Sequence, residues 1–415
     1  MRIVREYPPR GGYSPNTAHV LSPPMSSPIY RMTAQTMFGL EDLLVAELEG
    51  IGALDIEKHN RAVGFRGDTA CMYRANLCLR TALRILVPVD VFEVRNEDDL
   101  YRGIKRIKWE EFMDVDDTLA INCTLHSDLF NHSQFLALKA KDAVVDRFRE
   151  KMGRRPSVDL EQPTLRIHLH VHGEQVLVSL DSSGGSLHKR GYRDHTNLAP
   201  INEVLAAGLV LLSGWDTKSN LVDPMCGSGT ILIEAALLAA RIPPGSYRQR
   251  FGFQGWQDYD DYLWHSVREE AMGHVEEANR PLILGGEISP HVARKAESNI
   301  ASAGLKDRIR IKRSAFADLE APEGGGTLIL NPPYGERMDQ DEDITALYKM
   351  IGDTLKKRWA GYNAWLITSN LEAAKHVHLT PKPRIKLFNG ALECRFMRYE
   401  LYSGTRRTEK PVSGD

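Results

Sequence analysis

The segment Leu328-Ile329-Leu330-Asn331-Pro332-Pro333-Tyr334 runs an apolar strand into a stiff polar turn. An exocyclic amine on a purine, or an amide, is a poor nucleophile because its lone pair is delocalised into the π-system. The side-chain carbonyl of Asn331 and the backbone carbonyl of Pro332 are two acceptors that can draw both N–H groups of such an amine and free the lone pair. Pro332 confines Asn331 to an extended backbone, and Pro333 stiffens the turn. Tyr334 offers a ring face on which a flipped base can stack. Most of the rate gain would come from holding the amine in line with an activated methyl group.

A complement to this turn lies upstream, in Leu221-Val222-Asp223-Pro224-Met225-Cys226-Gly227-Ser228-Gly229-Thr230. Here a strand ends at Asp223, Gly227 and Gly229 permit a tight turn, and a helix opens at Thr230. The third glycine of a dinucleotide-binding turn is missing, and Asp223-Pro224 precedes the glycines. An aspartate there would repel a pyrophosphate and suits the ammonium of S-adenosylmethionine. Glu287, followed by Ile288, closes the next strand, where an acid can accept from both ribose hydroxyls. Asp318, after the third strand, is placed to bond an adenine amino group, with Phe316 beside the ring. The expected catalytic residues are Asn331, Pro332, Pro333 and Tyr334. The expected cofactor residues are Asp223, Pro224, Cys226, Gly227, Gly229, Thr230, Glu287, Ile288, Asp318 and Asn331, and the expected cofactor is S-adenosylmethionine. Cys226 has no base paired with it and reads as a small lining residue, not a nucleophile. His168, His170 and His172 share one face of a strand but lack a further ligand, so an exposed sheet face is expected and no metal.

These residues need a scaffold of alternating strands and helices, and the sequence from Asn197 onward supplies one. The spacing predicts helices at 201–212, 230–240, 290–303 and 345–357, strands at 220–223, 282–287, 309–313, 328–331 and 363–368, and two closing strands near 384–388 and 395–401. That is an α/β chain with a Rossmann-like, doubly wound, mostly parallel sheet. Two smaller α+β units precede it. The first has a strand at 29–38, a helix at 39–48, a strand at 62–65, a helix capped by Asp68 whose stripe runs Met72, Ala75, Leu79 and Leu83, and a strand at 87–94. The second has helices near 98–107 and 131–151, a strand at 118–125, and a strand pair meeting at His172-Gly173-Glu174.

At 415 residues, with 42% hydrophobic and 26% charged residues, the chain suits a soluble protein of two or three domains. The net charge of −2 makes no global case for nucleic acid, so any such case must be local. Five scattered cysteines without a CxxC pair read as free thiols of a reducing compartment. No apolar run is long enough to span a membrane. Residues 1–28, rich in proline, read as a disordered leader, with Met25 or Met32 as alternative starts. A cytoplasmic protein is expected.

Several segments resemble the THUMP-domain RNA guanine-N2 methyltransferases, the family of the large-subunit 23S rRNA enzyme. Gly64-Phe65-Arg66-Gly67-Asp68 and Tyr73-Arg74-Ala75-Asn76-Leu77-Cys78-Leu79-Arg80-Thr81-Ala82 are similar to its N-terminal ferredoxin-like unit. His188-Lys189-Arg190-Gly191-Tyr192-Arg193 with Ala199-Pro200-Ile201-Asn202-Glu203 resembles the lead-in to its catalytic domain. Arg241-Ile242-Pro243-Pro244-Gly245 with Phe251-Gly252-Phe253-Gln254-Gly255-Trp256 resembles an insertion peculiar to the group, and Asn331–Arg337 its catalytic loop. The resemblance implies a ferredoxin-like unit over 29–95, a THUMP RNA-binding domain over 96–185, a methyltransferase domain over 186–403 and a tail over 404–415. It also implies N2-methylguanosine in 23S rRNA as product, without the second methyltransferase domain of some relatives.

The residues give RNA binding local support. Lys139–Arg155 carries seven basic and three acidic side chains, and Lys382–Arg407 seven and two. The expected RNA contacts are Lys139, Lys141, Arg147, Arg154, Arg155, Lys189, Arg190 and Arg193, although Arg190, Tyr192 and Arg193 could equally close over the cofactor. Adenine N6, tRNA guanine and a protein glutamine amide remain alternative targets, and an RNA-binding assembly factor without catalysis is a further alternative. The RNA-binding-like front half argues against protein.

Overall fold

Short polar residues start the helices where the sequence places them. Asp68 accepts a hydrogen bond from the Cys71 amide at 2.7 Å, and Asn96, Asn202 and Asn370 cap in the same way. Each replaces a partner that a first helical turn cannot supply. The computed structural model describes residues 29–193, 201–333 and 341–401. The expected leader, Tyr334 and the tail lie outside them.

The chain forms two compact units. One joins the residues up to Gly191 with Ile242–Val275, and the other joins Tyr192–Arg241 with the residues from Glu276 onward. The first unit holds β1 (Tyr30–Thr36), α1 (Glu41–Gly50), β2 (Leu54–His59), β3 (Ala62–Gly67), α2 (Thr69–Cys78) and β4 (Ala82–Glu93). It continues with α3 (Glu97–Arg106), β5 (Thr118–His126), α4 (Ser133–Met152), β6 (Ser157–Val158), β7 (Leu165–His172) and β8 (Gln175–Asp181). Its strands make a single sheet in the order β2-β3-β1-β4-β8-β7-β5-β6. The two α+β segments therefore share one sheet, joined where β4 pairs antiparallel with β8.

Three local readings change. α2 stops at Cys78, and Leu83 lies in β4 because the β-branched and apolar run after Ala82 extends that strand. β2 was not anticipated: it is short, its alternation stops after Leu54-Asp55-Ile56-Glu57, and its residues are almost all exposed. The histidine face is exposed only towards its end: His172 is exposed, His170 is half-buried and His168 is buried. His168 is buried and takes a 3.1 Å hydrogen bond with Thr124, and burial lowers its pKa to about 4. Among the described residues no group of His, Cys, Asp or Glu has a metal-binding arrangement.

The second unit holds α5 (Glu203–Leu212), β9 (Asn220–Asp223) and α6 (Thr230–Ala239). The chain then contributes Ile242–Val275, including α7 (Asp261–Gly273), to the first unit before returning. After it come β10 (Ile283–Glu287), α8 (Pro290–Ser302), β11 (Ile309–Arg313), β12 (Gly326–Leu330), α9 (Asp341–Arg358), β13 (Tyr362–Thr368), α10 (Leu371–Lys375), β14 (Arg384–Asn389) and β15 (Leu392–Glu400). The sheet order is β11-β10-β9-β12-β13-β15-β14. β9 to β13 run parallel, while β15 is antiparallel to both neighbours. This is a Rossmann-like, mostly parallel sheet with an antiparallel edge. The order reverses between β9 and β12, and ligands bind outside the strand ends at such a switch point.

The segment 242–275 earns its place in the first unit through aromatic packing. Phe251, Phe253 and Trp264 are buried with Tyr73 of α2. Phe253 stacks on Tyr73 at 4.4 Å between ring centres, and Trp264 meets Phe251 edge-on at 5.5 Å. Trp264→Ala is expected to destabilise that unit by about 3 kcal/mol, seen as an earlier urea transition. An unchanged transition would mean the insertion contributes nothing to this core.

Candidate active site

Asp223 and Asn331 end up together because β9 and β12 are adjacent parallel strands. A cavity of about 750 Å³ opens at their carboxyl ends. Asp223, Pro224, Cys226, Gly227 and Thr230 line it from the glycine turn, Glu287 and Ile288 from the end of β10, and Asn331 and Pro333 from the end of β12. Gly229 does not line it. Its backbone is left-handed (φ +82°), and a Cβ there would sit 3.4 Å from that of Ala296, so it starts α6 and lets α8 approach. Gly286 serves the same turn differently: a Cβ would meet the Pro224 carbonyl oxygen at 2.8 Å.

The two carboxylates are held unlike each other. Asp223 is buried and accepts from the Met225 amide at 3.2 Å. Burial pushes its pKa up to about 7; the Met225 hydrogen bond opposes the rise and nearby Glu287 adds to it. Glu287 accepts from the Gly227 amide at 3.2 Å with one oxygen and from the Ser289 amide at 2.8 Å with the other. The Cys226 thiol is raised well above its usual range, first by burial and then by Asp223 and Glu287, which makes it inert. At the other wall, the side-chain carbonyl oxygen of Asn331 is buried and has no hydrogen-bond partner among the described residues. A buried acceptor left unpaired is costly, and Asn331 lines the cavity, where a donor from a bound ligand can reach it.

Other expected residues fall elsewhere. Pro332 is buried and does not line the cavity, and Asp318 is exposed in the single turn Phe316–Asp318 while Ser314, Ala315 and Phe316 take the lining positions. The cavity also gains Ile201, His291, Lys295, Leu347 and Met350. Ile201 lies in the Ala199–Glu203 segment leading into α5; no motif marked the other four, which reach the site through tertiary packing of α8 and α9. Asn299 of α8, one turn beyond Lys295, donates to the Ser228 carbonyl at 3.1 Å and pins the glycine turn.

The lead-in arginines are structural. Arg190 is 2% exposed and donates to the carbonyls of Leu187 and Arg80 at 2.9 and 2.6 Å, so it reaches neither RNA nor cofactor. Arg193 donates to Thr230 Oγ1 at 2.8 Å and to the Ile201 carbonyl at 3.2 Å, and pairs with buried Glu203 at 3.3 Å. It braces two cavity-lining residues. Tyr192 is buried and donates to Glu234 at 2.9 Å.

The front-unit cations are also mostly engaged. Arg147 forms a two-pronged bond to Glu110 at 2.7 and 2.6 Å. This pair and the Lys151–Glu110 contact hold the Glu110 carboxyl down at about 2, so Arg147 is a structural residue rather than a phosphate contact. Lys139 pairs with Asp98, Lys141 with Asp142 and Arg154 with Asp116. Lys139, Lys141 and Arg155 line an open polar hollow of about 700 Å³, and Lys189 is exposed.

With this geometry in view, the similarities are specific. Residues 31–86 match the RlmL ferredoxin-like domain, 94–181 the THUMP domain, and 190–398 the family described as RMKL-like, methyltransferase domain. The chain is 41% identical over 364 residues to "Putative RNA methyltransferase slr0064" of Synechocystis, covering 88% of this chain and 95% of that one. It is 40% identical to the ribosomal RNA large subunit methyltransferase K/L of Syntrophotalea carbinolica, covering 94% of this chain and 56% of the other. The chain thus spans about half the length of the K/L relatives it matches. Among solved structures it is similar to SMU.472, "a putative methyltransferase complexed with SAH", at TM-score 0.80 and 27% identity, covering 91% of this chain and 99% of that one. A possible methylase from Clostridium difficile 630 matches at TM-score 0.81 and 29% identity, covering 91% and 100%. The chain belongs to the RMKL-like methyltransferase family and carries THUMP and RlmL ferredoxin-like domains ahead of the catalytic one.

Proposed function

We propose that this methyltransferase modifies RNA, transferring a methyl group to the exocyclic N2 amine of a guanine in large-subunit (23S) ribosomal RNA, in the cytoplasm. The observation that carries the chemistry is the buried carbonyl oxygen of Asn331, without a hydrogen-bond partner among the described residues, in the same cavity as Asp223 and Glu287. The residues fit S-adenosylmethionine. Asp223 is a buried carboxyl group with no cation beside it among the described residues, and Glu287 keeps lone pairs free for hydroxyl donors. Phe316 offers apolar lining, and the cavity size suits a nucleoside-sized ligand. When bound, S-adenosylmethionine supplies a methyl group on a positively charged sulfur.

The remaining work falls to the chain. Asn331 Oδ1 accepts an N–H of the target amine, which helps localise the nitrogen lone pair. Pro332 and Pro333 restrict the backbone, so this geometry is set before substrate arrives. Ile201, Leu347 and Met350 keep the cavity wall apolar and exclude water. The proton leaves to solvent after transfer, so no strong base is required. Tyr334 stacks on the base. RNA is engaged in part through the hollow that Arg155 lines. The choice of large-subunit RNA rests on the K/L relatives.

The test of the acceptor class is to supply labelled S-adenosylmethionine to a mixture of ribosomal RNA, tRNA and protein from cells lacking the gene. Label is expected in large-subunit RNA. Label confined to tRNA or to protein would overturn the assignment.

A further inference from the structure

We infer that the catalytic unit has its own phosphate track, the exposed edge strand β11, which leads single-stranded RNA to the cavity. The inference rests on the RNA reading above and adds where the RNA backbone lies. From Arg294 to Arg313 the chain carries seven basic and two acidic residues, as strong a bias as in either basic stretch named in the sequence. The difference lies in what the cations hold. In the first unit, Lys105, Lys139, Arg147, Arg149, Lys151 and Arg154 each pair with a carboxylate. On the edge strand, Arg310, Lys312 and Arg313 are exposed, as is Arg294 of α8, and none of the four has an ion-pair partner among the described residues. Arg308 is not part of the track, since it donates to the carbonyls of Asn279, Glu276 and Glu277.

β11 is the outermost strand of its sheet, so its outer edge is open. Open edges are guarded against pairing by charged side chains, Lys especially, and Lys312 alone would serve that purpose. Three cations in five residues, with no neutralising carboxylate, point to a polyanion partner. Alternation puts Arg310 and Lys312 on one face and Arg313 on the other, so the three flank the edge. The strand also has a direction. Arg313 lies in register with Glu287, and the next two residues, Ser314 and Ala315, line the cavity. A strand of RNA held along β11 would arrive at the cavity with a base free to turn in. An unstacked single strand is the form that a base-directed enzyme requires.

The test is the triple variant Arg310→Gln, Lys312→Gln, Arg313→Gln. Its affinity for unmodified large-subunit ribosomal RNA would be measured by filter binding across a salt series. Each lost single-strand phosphate contact lowers the slope of log affinity against log salt by about 0.7, so a loss of roughly 2 is expected. At about 0.1 M salt the dissociation constant should rise at least roughly tenfold. Binding of S-adenosylhomocysteine, followed by calorimetry, should stay at the wild-type value and so report an intact fold. Arg154→Gln, which removes a paired cation, should leave the slope unchanged. If the triple variant fails to bind S-adenosylhomocysteine, Lys312→Gln alone decides, with an expected slope loss of about 0.7. A wild-type slope in a folded variant, with wild-type protein binding RNA, overturns the track and leaves the RNA reading intact. Wild-type protein that binds S-adenosylhomocysteine but no RNA overturns both.

Discussion

Asn331→Ala is expected to lower the turnover of methyl transfer by roughly 10³-fold while leaving S-adenosylhomocysteine affinity within a few-fold of wild type. Asn331 follows β12, and its buried carbonyl oxygen is the acceptor that the target amine would meet. Alanine removes that acceptor without touching Asp223 or Glu287. Asn331→Asp keeps an oxygen in the same place, so it should retain more activity than the alanine variant. A residue that merely fills space would show the two variants alike. Single-turnover rates with saturating RNA separate the cases, and unchanged turnover in a folded Asn331→Ala protein would end the proposed mechanism.

The second large effect concerns Asp223. Burial lifts its carboxyl to about 7, so near neutrality the free protein holds it partly protonated. A cationic ligand needs the ionised form. Affinity for S-adenosylhomocysteine, whose amino-acid end carries an ammonium, should therefore tighten as pH rises towards 7 and level off above it. Below 7 it should weaken by roughly tenfold per unit. Asp223→Asn should flatten that profile and weaken binding above pH 7 by roughly 10²-fold. The stability effect has the opposite direction. Because the folded pKa lies above the unfolded value of about 3.9, the folded state holds the proton more tightly, and stability from this group falls as pH rises from about 4 to 7. The unliganded Asp223→Asn protein should consequently melt higher than wild type at pH 8. Calorimetric titrations from pH 5.5 to 8.5 with melting curves would check both, and a flat wild-type binding profile would contradict the account.

Much of the site is legible in the sequence because it is local. A strand end, a glycine turn and a helix start lie within ten residues at Leu221–Thr230, and Asn331-Pro332-Pro333 is a single turn. Parallel pairing of β9 with β12 then brings them together. What is not legible comes from outside such segments. Leu347 and Met350 reach the cavity only through packing of distant elements. Asp318 was placed by strand order, yet the turn that follows β11 presents Ser314 to Phe316 instead. Charge counts mislead in the same way. Arg147 and Arg190 read as phosphate contacts until Glu110 and the carbonyls of Leu187 and Arg80 are seen to hold them. Fold features follow this division too. α4 and its left-handed Gly153 stop are written in local pattern. The joining of β4 to β8, and the return of residues 242–275 to the first unit, are long-range choices made by buried aromatic and strand-edge surface.

The most direct test of the central claim is the identity of the product. Purified protein would be given labelled S-adenosylmethionine and large-subunit ribosomal RNA from cells lacking the gene, and the RNA digested to nucleosides for mass spectrometry. The account predicts label in N2-methylguanosine, lost when Asn331→Ala protein is used. Label in N6-methyladenosine, or N2-methylguanosine that persists with the variant, would contradict it.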